Sequence, residues 1–242
     1  MIVDIGFFEQ YNGKTMTNID PEKKSQSQIP PEDYSLRPDY WVNRPLNDEE
    51  KDWKGEQKDW VDGYVKSVDH PHRALIINAL KKLTPFESIV EVGANCGPNL
   101  FVIRKEFPNT KVAGIDLSAA AIEVGKKFVP EADLRVGSMI KLPWEDKSFD
   151  VALADASLMY ISPDDIDATM AELARVSKKA ILIIERFDES EKGVIKNHIW
   201  TRNYPLILEK LGYKVEQVKL DENSWPGSLN WQKYGYLFIG TK

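Results

Sequence analysis

The stretch Ser88-Ile-Val-Glu-Val-Gly-Ala-Asn-Cys-Gly-Pro-Asn-Leu100 decides the fold. Ile89, Val90 and Val92 form a short β-branched run, the mark of a buried strand. Gly93 and Gly97 bracket a tight turn, and Pro98 suits the first position of a helix, where a missing N–H costs nothing. A strand, a glycine turn and a helix in that order point bare N–H groups and a helix N-terminus at an anionic ligand. Glu91 is a second polar handle on the same crevice. The expectation is a nucleotide-type cofactor site.

Outward from this turn, Lys111-Val-Ala-Gly-Ile-Asp116 reads as a second strand ending in a carboxylate, 19 residues beyond Gly97. Asp116 there can accept hydrogen bonds from both hydroxyls of a ribose. The dinucleotide fingerprint G-x-G-x-x-G is not met by Gly93-Ala-Asn-Cys-Gly97-Pro. The turn resembles instead the E/D-x-G-x-G-x-G turn of class I S-adenosylmethionine (SAM)-dependent methyltransferases, with Asn95 where a middle glycine is usual. Asparagine tolerates the left-handed region better than most residues, so the turn survives.

The chain has 242 residues, a formal net charge of −6 and 42% apolar residues, enough for one large domain or a domain with an appendage. Without a broad basic stretch, a nucleic-acid partner is disfavoured. The single cysteine, Cys96, excludes an intrachain disulfide and is read as a small residue beside the cofactor. No apolar run approaches a membrane span and the N-terminus lacks a basic n-region, so a cytoplasmic protein is expected.

Residues 1–70 are read as an N-terminal arm and helix, a lid or substrate cover. The arm is polar and turn-rich, with aromatic points such as Phe7, Tyr34 and Trp41. Asn47-Asp-Glu-Glu then opens a helical stripe over 47–68 carried by Trp53, Gln57, Trp60, Val61, Tyr64, Val65 and Val68. Asp69-His-Pro-His-Arg73 breaks it and starts a helix over about 72–83. Alternating helices and strands follow: helix 98–107, strand 111–116, helix 118–128, strands 133–137 and 149–155, a helix from Ser162, strand 179–186 and a short helix stopped by Gly212. Two closing strands, about 213–220 and 233–241, read as an antiparallel hairpin. Alternation of this kind means an α/β fold with a parallel sheet covered on both faces.

Residues 71–242 match in order the Rossmann-like class I methyltransferase layout, which implies a seven-stranded, mostly parallel sheet with a C-terminal antiparallel hairpin. Leu142-Pro-Trp-Glu-Asp-Lys-Ser-Phe-Asp-Val resembles the family's approach to its fourth strand. Trp60-Val-Asp-Gly-Tyr, Asp69-His-Pro-His-Arg and Trp231-Gln-Lys-Tyr-Gly-Tyr are similar to a microbial subgroup, some of it in sugar or surface-polysaccharide pathways.

The resemblance implies SAM as cofactor, S-adenosylhomocysteine as product and a small-molecule acceptor. Cofactor contacts are expected from Glu91, Gly93, Ala94, Asn95, Cys96, Gly97 and Asn99 in the turn and helix start. Asp116 and Leu117 would meet the ribose and adenine. Ser138, where family members often hold an aspartate, and Met139 would flank the adenine. Tyr64, Arg73 and Asp155 would meet the methionine end. For catalysis the candidates are His198, whose neutral imidazole suits a base near pH 7, Asp155 and Tyr160. Three histidines and one cysteine give no metal spacing, so no metal is expected. O-methylation is favoured over N-methylation, and a homodimer is compatible with the sequence. A protein or nucleic-acid methyltransferase, a non-catalytic SAM-binding module and an NAD-dependent oxidoreductase stand as alternatives.

Overall fold

The computed structural model describes residues 38–45, 48–51, 54, 56–189, 194–195 and 199–242. His198 and the arm over 1–37 lie outside them.

The central strand, β3 (Ser88–Val92), is buried at every position. It runs parallel to β4 (Lys111–Asp116) on one side and β6 (Phe149–Asp155) on the other. β5 (Asp133–Val136) extends the sheet beyond β4. Beyond β6 come β7 (Ser177–Arg186), then β11 (Gly235–Thr241) and β10 (Lys214–Lys219), the last two antiparallel to their neighbours. The sheet therefore has seven strands in the order β10-β11-β7-β6-β3-β4-β5. Successive parallel connections leave β3 in opposite directions, so the strand order reverses there. A ligand crevice forms at such a point, outside the carboxyl ends of the strands.

Alternating side chains of β3 feed two cores. Ile89 packs on one face with Ile76 and Leu80 of α3 (His72–Lys82) and Leu100 and Ile103 of α4 (Pro98–Glu106). Val90 and Val92 pack on the other with Met170 and Leu173 of α6 (Ile166–Val176) and Leu208 of α7 (Tyr204–Lys210). Local chemistry sets the ends. Ser118 accepts the Ala121 N–H to cap α5 (Ala119–Phe128), Asn203 accepts the Leu206 N–H to cap α7, and Gly212 at φ +84° ends it. Both carboxyl-terminal strands are present, but α8 (Leu229–Tyr234) occupies their linker, and a separate antiparallel pair, β8 (Val194–Ile195) and β9 (Ile199–Trp200), precedes α7.

The helix expected over 47–68 is not formed as such. β1 (Glu49–Lys51) pairs antiparallel with β2 (Gln57–Asp59), and only Trp60–Lys66 is helical, as α2, followed by a 3-10 turn over Ser67–Asp69. The reason lies in the distribution of apolar residues. The first half of the stripe carries Trp53 alone and includes Gly55, so a helix there would have no face to bury. The second half buries Trp60, Val61 and Val65 against Cys96 and Ala121. A short helix, α1 (Pro38–Asn43), precedes the hairpin. The Trp60 indole N–H donates to the Pro45 carbonyl at 2.8 Å, tying the two segments together.

Candidate functional site

A cavity of about 620 Å³ opens at the carboxyl ends of β3, β4 and β6, within the range of small-molecule pockets, about 300–1,000 Å³. Its floor is the glycine turn. Gly93, Asn95 and Gly97 have φ of +70°, +50° and +84°, three left-handed residues within five, which is why the segment needs glycine or asparagine. A Cβ on Gly93 would lie 2.4 Å from the Ser157 Cβ, so the loop after β6 can approach only a glycine.

The N–H groups of this turn are not bare. Gly93 and Ala94 both donate to the Ile115 carbonyl, and Gly97 donates to that of Ala94. Asn95 N–H donates to Asp116 Oδ2 at 2.8 Å and Cys96 N–H to the Asn95 side-chain oxygen at 2.7 Å. The anion cradle expected from sequence is thus taken up internally. The turn supplies shape, not a phosphate site, which speaks against a pyrophosphate-bearing cofactor. Asp116 accepts one backbone N–H on each oxygen, from Asn95 and from Ser118. Each oxygen keeps a lone pair, and the residue lines the cavity with Leu117, Ser138 and Met139.

A second set of polar groups runs along the wall. His72 Nε2 is 2.8 Å from Asp155 Oδ2, and His72 Nδ1 is 2.5 Å from His70 Nδ1. Asn99 Nδ2 donates to the same Asp155 oxygen at 2.8 Å and to Glu91 Oε1 at 2.7 Å. Burial would push Asp155 up, but His72 and Arg73 beside it outweigh that and hold its carboxyl below the usual range. Burial pushes both imidazoles down, His70 to about 3, against the pull of Asp155. An ionised Asp155 can only accept, so a neutral His72 donates from Nε2. That leaves its Nδ1 as the acceptor for a proton on His70 Nδ1. Trp225 packs over both rings, at 4.9 Å from His70 and 4.5 Å from His72.

The remaining wall follows β6. Ala156 sits at φ +51°, strained for a residue with a Cβ, and the chain turns through a 3-10 segment over Leu158–Tyr160. Glu185 clamps this turn by accepting the N–H groups of Leu158 and Met159 at 2.5 and 3.2 Å. The clamp puts Tyr160 on the cavity, edge-on to Trp41 at 5.2 Å.

Of the residues expected from sequence, Tyr64, Arg73, Gly93, Asn95, Asp116, Leu117, Ser138, Met139, Asp155 and Tyr160 line this one cavity. Glu91, Ala94, Cys96 and Asn99 are buried behind it. Gly97, also buried, caps α4 there. Asn99 does not present its amide to the crevice, because Glu91 and Asp155 hold it. Cys96 is fully buried, and burial pushes its thiol up to about 12, so no thiolate is available. The sequence offered His70 and His72 as shapers of a turn or as groups within reach of the cleft; the structure sets both on the wall with Trp200 and Trp225. The Asp69-His-Pro-His-Arg73 run carried that signal. Among the described residues no group of three or more His, Cys, Asp or Glu is placed to hold a metal ion, and no helix is long and apolar enough to cross a membrane.

Residues 89–180, the turn through β7, match the family model described as a methyltransferase domain. That match and the sheet order around it support a class I SAM-dependent methyltransferase fold. Trans-aconitate 2-methyltransferase of Escherichia coli O1:K1 / APEC is 24% identical over 142 residues, 57% of this chain and 56% of that one. Demethylmenaquinone methyltransferase of Thermotoga maritima is 22% identical over 52% of this chain and 54% of its own length. The match thus spans little more than half of these relatives. Among solved structures, a SAM-dependent methyltransferase from Aquifex aeolicus has a TM-score of 0.53 at 20% identity, covering 73% of this chain and 96% of that one. The complex of the Haloferax volcanii Trm112 methyltransferase activator with a methyltransferase has a chain with a TM-score of 0.57 at 20% identity, over 75% and 95%. These likenesses speak for the fold.

Proposed function

We propose that this protein transfers the methyl group of SAM to a small-molecule acceptor in the cytoplasm, with oxygen as the receiving atom. The observation that carries the reading is the pairing of Asp116 with Arg73 and Asp155 around one cavity. Asp116 offers two oxygens with lone pairs to spare, as a ribose diol requires. At the other end, Arg73 donates to the Ser67 carbonyl and hydroxyl, yet its Nε is buried without a partner, and so is Asp155 Oδ1. A buried donor and a buried acceptor left unsatisfied are costly unless a ligand serves them. The carboxylate and ammonium of an amino acid match that pair, and SAM carries both groups beside a ribose. Leu117, Ser138 and Met139 would hold the adenine.

When bound, the cofactor supplies a methyl group already primed for in-line displacement. The chain's own residues have the remaining tasks of holding the acceptor at contact distance, excluding water and taking a proton from a hydroxyl. The neutral His70–His72 pair can take that proton at His70 Nε2, the ring nitrogen outside the shared contact, with Asp155 stabilising the resulting charge through His72. Tyr160 borders the acceptor. His198 stays a candidate base, and His198→Ala tests it: loss of turnover with SAM affinity intact supports the role, and full activity removes it.

Calorimetric titration with SAM, S-adenosylhomocysteine and NAD tests the reading. Binding of both sulfur ligands but not NAD, weakened at least about tenfold by Asp116→Ala through two lost hydrogen bonds, is expected. Binding of NAD alone, or an unchanged affinity in Asp116→Ala, would overturn it.

A further inference from the structure

Resting on the methyltransferase reading, we infer that the acceptor is a planar aromatic molecule with few polar groups, of the phenol type, rather than a polyol or a polycarboxylate. Once the adenine, ribose and amino-acid ends are assigned, the cavity wall that remains is made of rings. Trp41, Tyr160, Trp200, Trp225 and His70 line it. Trp41 and Tyr160 already meet edge to face at 5.2 Å and 64°, and Trp225 is backed by Trp231, stacked at 4.0 Å and 15°. Rings fixed in this way offer faces and edges to another flat ring, an attraction beyond that of the area buried.

Three serines of the same wall are committed to the protein. Ser67 donates its hydroxyl to the Tyr64 carbonyl, Ser157 to the Val92 carbonyl and Ser162 to Asp165. A sugar would bring several hydroxyls into a space whose serine hydroxyls are spent, and each unmatched group would be desolvated at a cost. A polycarboxylate fares worse. Among the described residues lining the cavity the sole Lys or Arg is Arg73, which belongs to the amino-acid end, while Asp116, Asp155 and Asp165 face the same space. An amine is served no better, because Asp116 and Asp155 are taken by the ribose and ammonium of the cofactor and Asp165 already accepts from Ser162. What is left is a flat apolar slot beside two neutral imidazoles.

The test is calorimetry on the full chain, with and without saturating S-adenosylhomocysteine. Four probes are titrated: 2-naphthol, decahydro-2-naphthol of similar size without the aromatic rings, methyl α-D-glucopyranoside and trans-aconitate. The expected result is that 2-naphthol binds about tenfold tighter than its saturated counterpart, the worth of one or two ring pairs, and that the other two give no heat. Trp200→Leu should remove that preference and Trp200→Phe restore it, both keeping wild-type affinity for S-adenosylhomocysteine. Equal binding of the two naphthalene-type probes, or binding of the glucoside or of aconitate without 2-naphthol, would overturn the inference. Failure of S-adenosylhomocysteine to bind would defeat the cofactor assignment instead, and the 2-naphthol comparison on the free protein would still decide this one.

Discussion

His72 Nε2 lies 2.8 Å from Asp155 Oδ2, joining the first turn of α3 to the last residue of β6. Both side chains are nearly inaccessible. Removing one member of such a pair strands the other's charge, at a typical cost of about 3–5 kcal/mol. His72→Phe should therefore lose about 3 kcal/mol at pH 7, read by urea denaturation. The loss should shrink on acidification. The Asp155 pKa is lowered in the folded state, so its stabilisation is present above its ordinary value of 3.8 and vanishes as pH falls through the folded value. The His72 pKa is lowered too, so the wild type also loses stability below the ordinary imidazole value of 6.5, where only the unfolded ring is protonated. A deficit that stays constant from pH 7 to pH 4 would mean that folding does not hold the His72 imidazole below its ordinary value.

Glu185 titrates in the opposite sense. Burial raises its carboxyl from 4.5 to about 8 despite the N–H groups of Leu158 and Met159. Between those values the unfolded chain is ionised and the folded one is not, so this group removes up to about 1.4 kcal/mol of stability per pH unit as pH rises. Glu185→Gln keeps an acceptor oxygen for the clamp and cannot ionise. It should be near neutral at pH 5 and more stable than the wild type by pH 8. A stability difference that does not grow over that interval would contradict a protonated Glu185.

The turn can be probed at two neighbouring positions. Gly93→Ala places a Cβ at φ +70° and 2.4 Å from the Ser157 Cβ. It should cost at least about 2 kcal/mol, from left-handed strain and displacement of the loop after β6. It should also weaken S-adenosylhomocysteine binding. Asn95→Gly relaxes φ +50° but forfeits the side-chain acceptor for Cys96 N–H, so its stability should stay within about 1 kcal/mol. Calorimetric Kd values and urea midpoints for the pair check this; similar losses in both would mean that the backbone angle is not the controlling feature.

What could be read in the sequence follows from how local the signal is. β3, its turn and α4 are specified by residues adjacent in the chain, and so are the caps Ser118, Asn203 and Gly212. Asp116 could be placed because it ends a strand that must pair with β3. The hairpin β1–β2 escaped because its register, Glu49 opposite Asp59, is set by partners ten residues apart and not by apolar spacing. The fate of the turn's N–H groups escaped for the same reason: Ile115 O and Asp116 Oδ2 reach them from the next strand. The His70–His72–Asp155 contact joins residues 83 apart in the chain. Trp225 comes from later still, so only the fold could show that they share a wall.

Trp225 offers the last test, because it separates packing from proton chemistry. Its ring covers His70 and His72 and stacks on Trp231. Desolvation is the leading cause of the low pKa of His70, about 3; His72 and Arg73 push the same way, while Asp155 and Asp69 pull it up. Trp225→Ala would admit water while leaving all four of those groups in place. The His70 pKa should then climb toward 6.5, followed by NMR titration of its ring signals. Stability should fall by about 2 kcal/mol, less than the 3–5 of a fully buried ring, since Trp225 is partly exposed. Trp225→Phe, which keeps a cover over the imidazoles, should hold the His70 pKa near its wild-type value. If His70 titrates near 3 in the alanine variant as well, the neighbouring charges and not burial keep the pair neutral. The aromatic lid would then have no part in its proton chemistry.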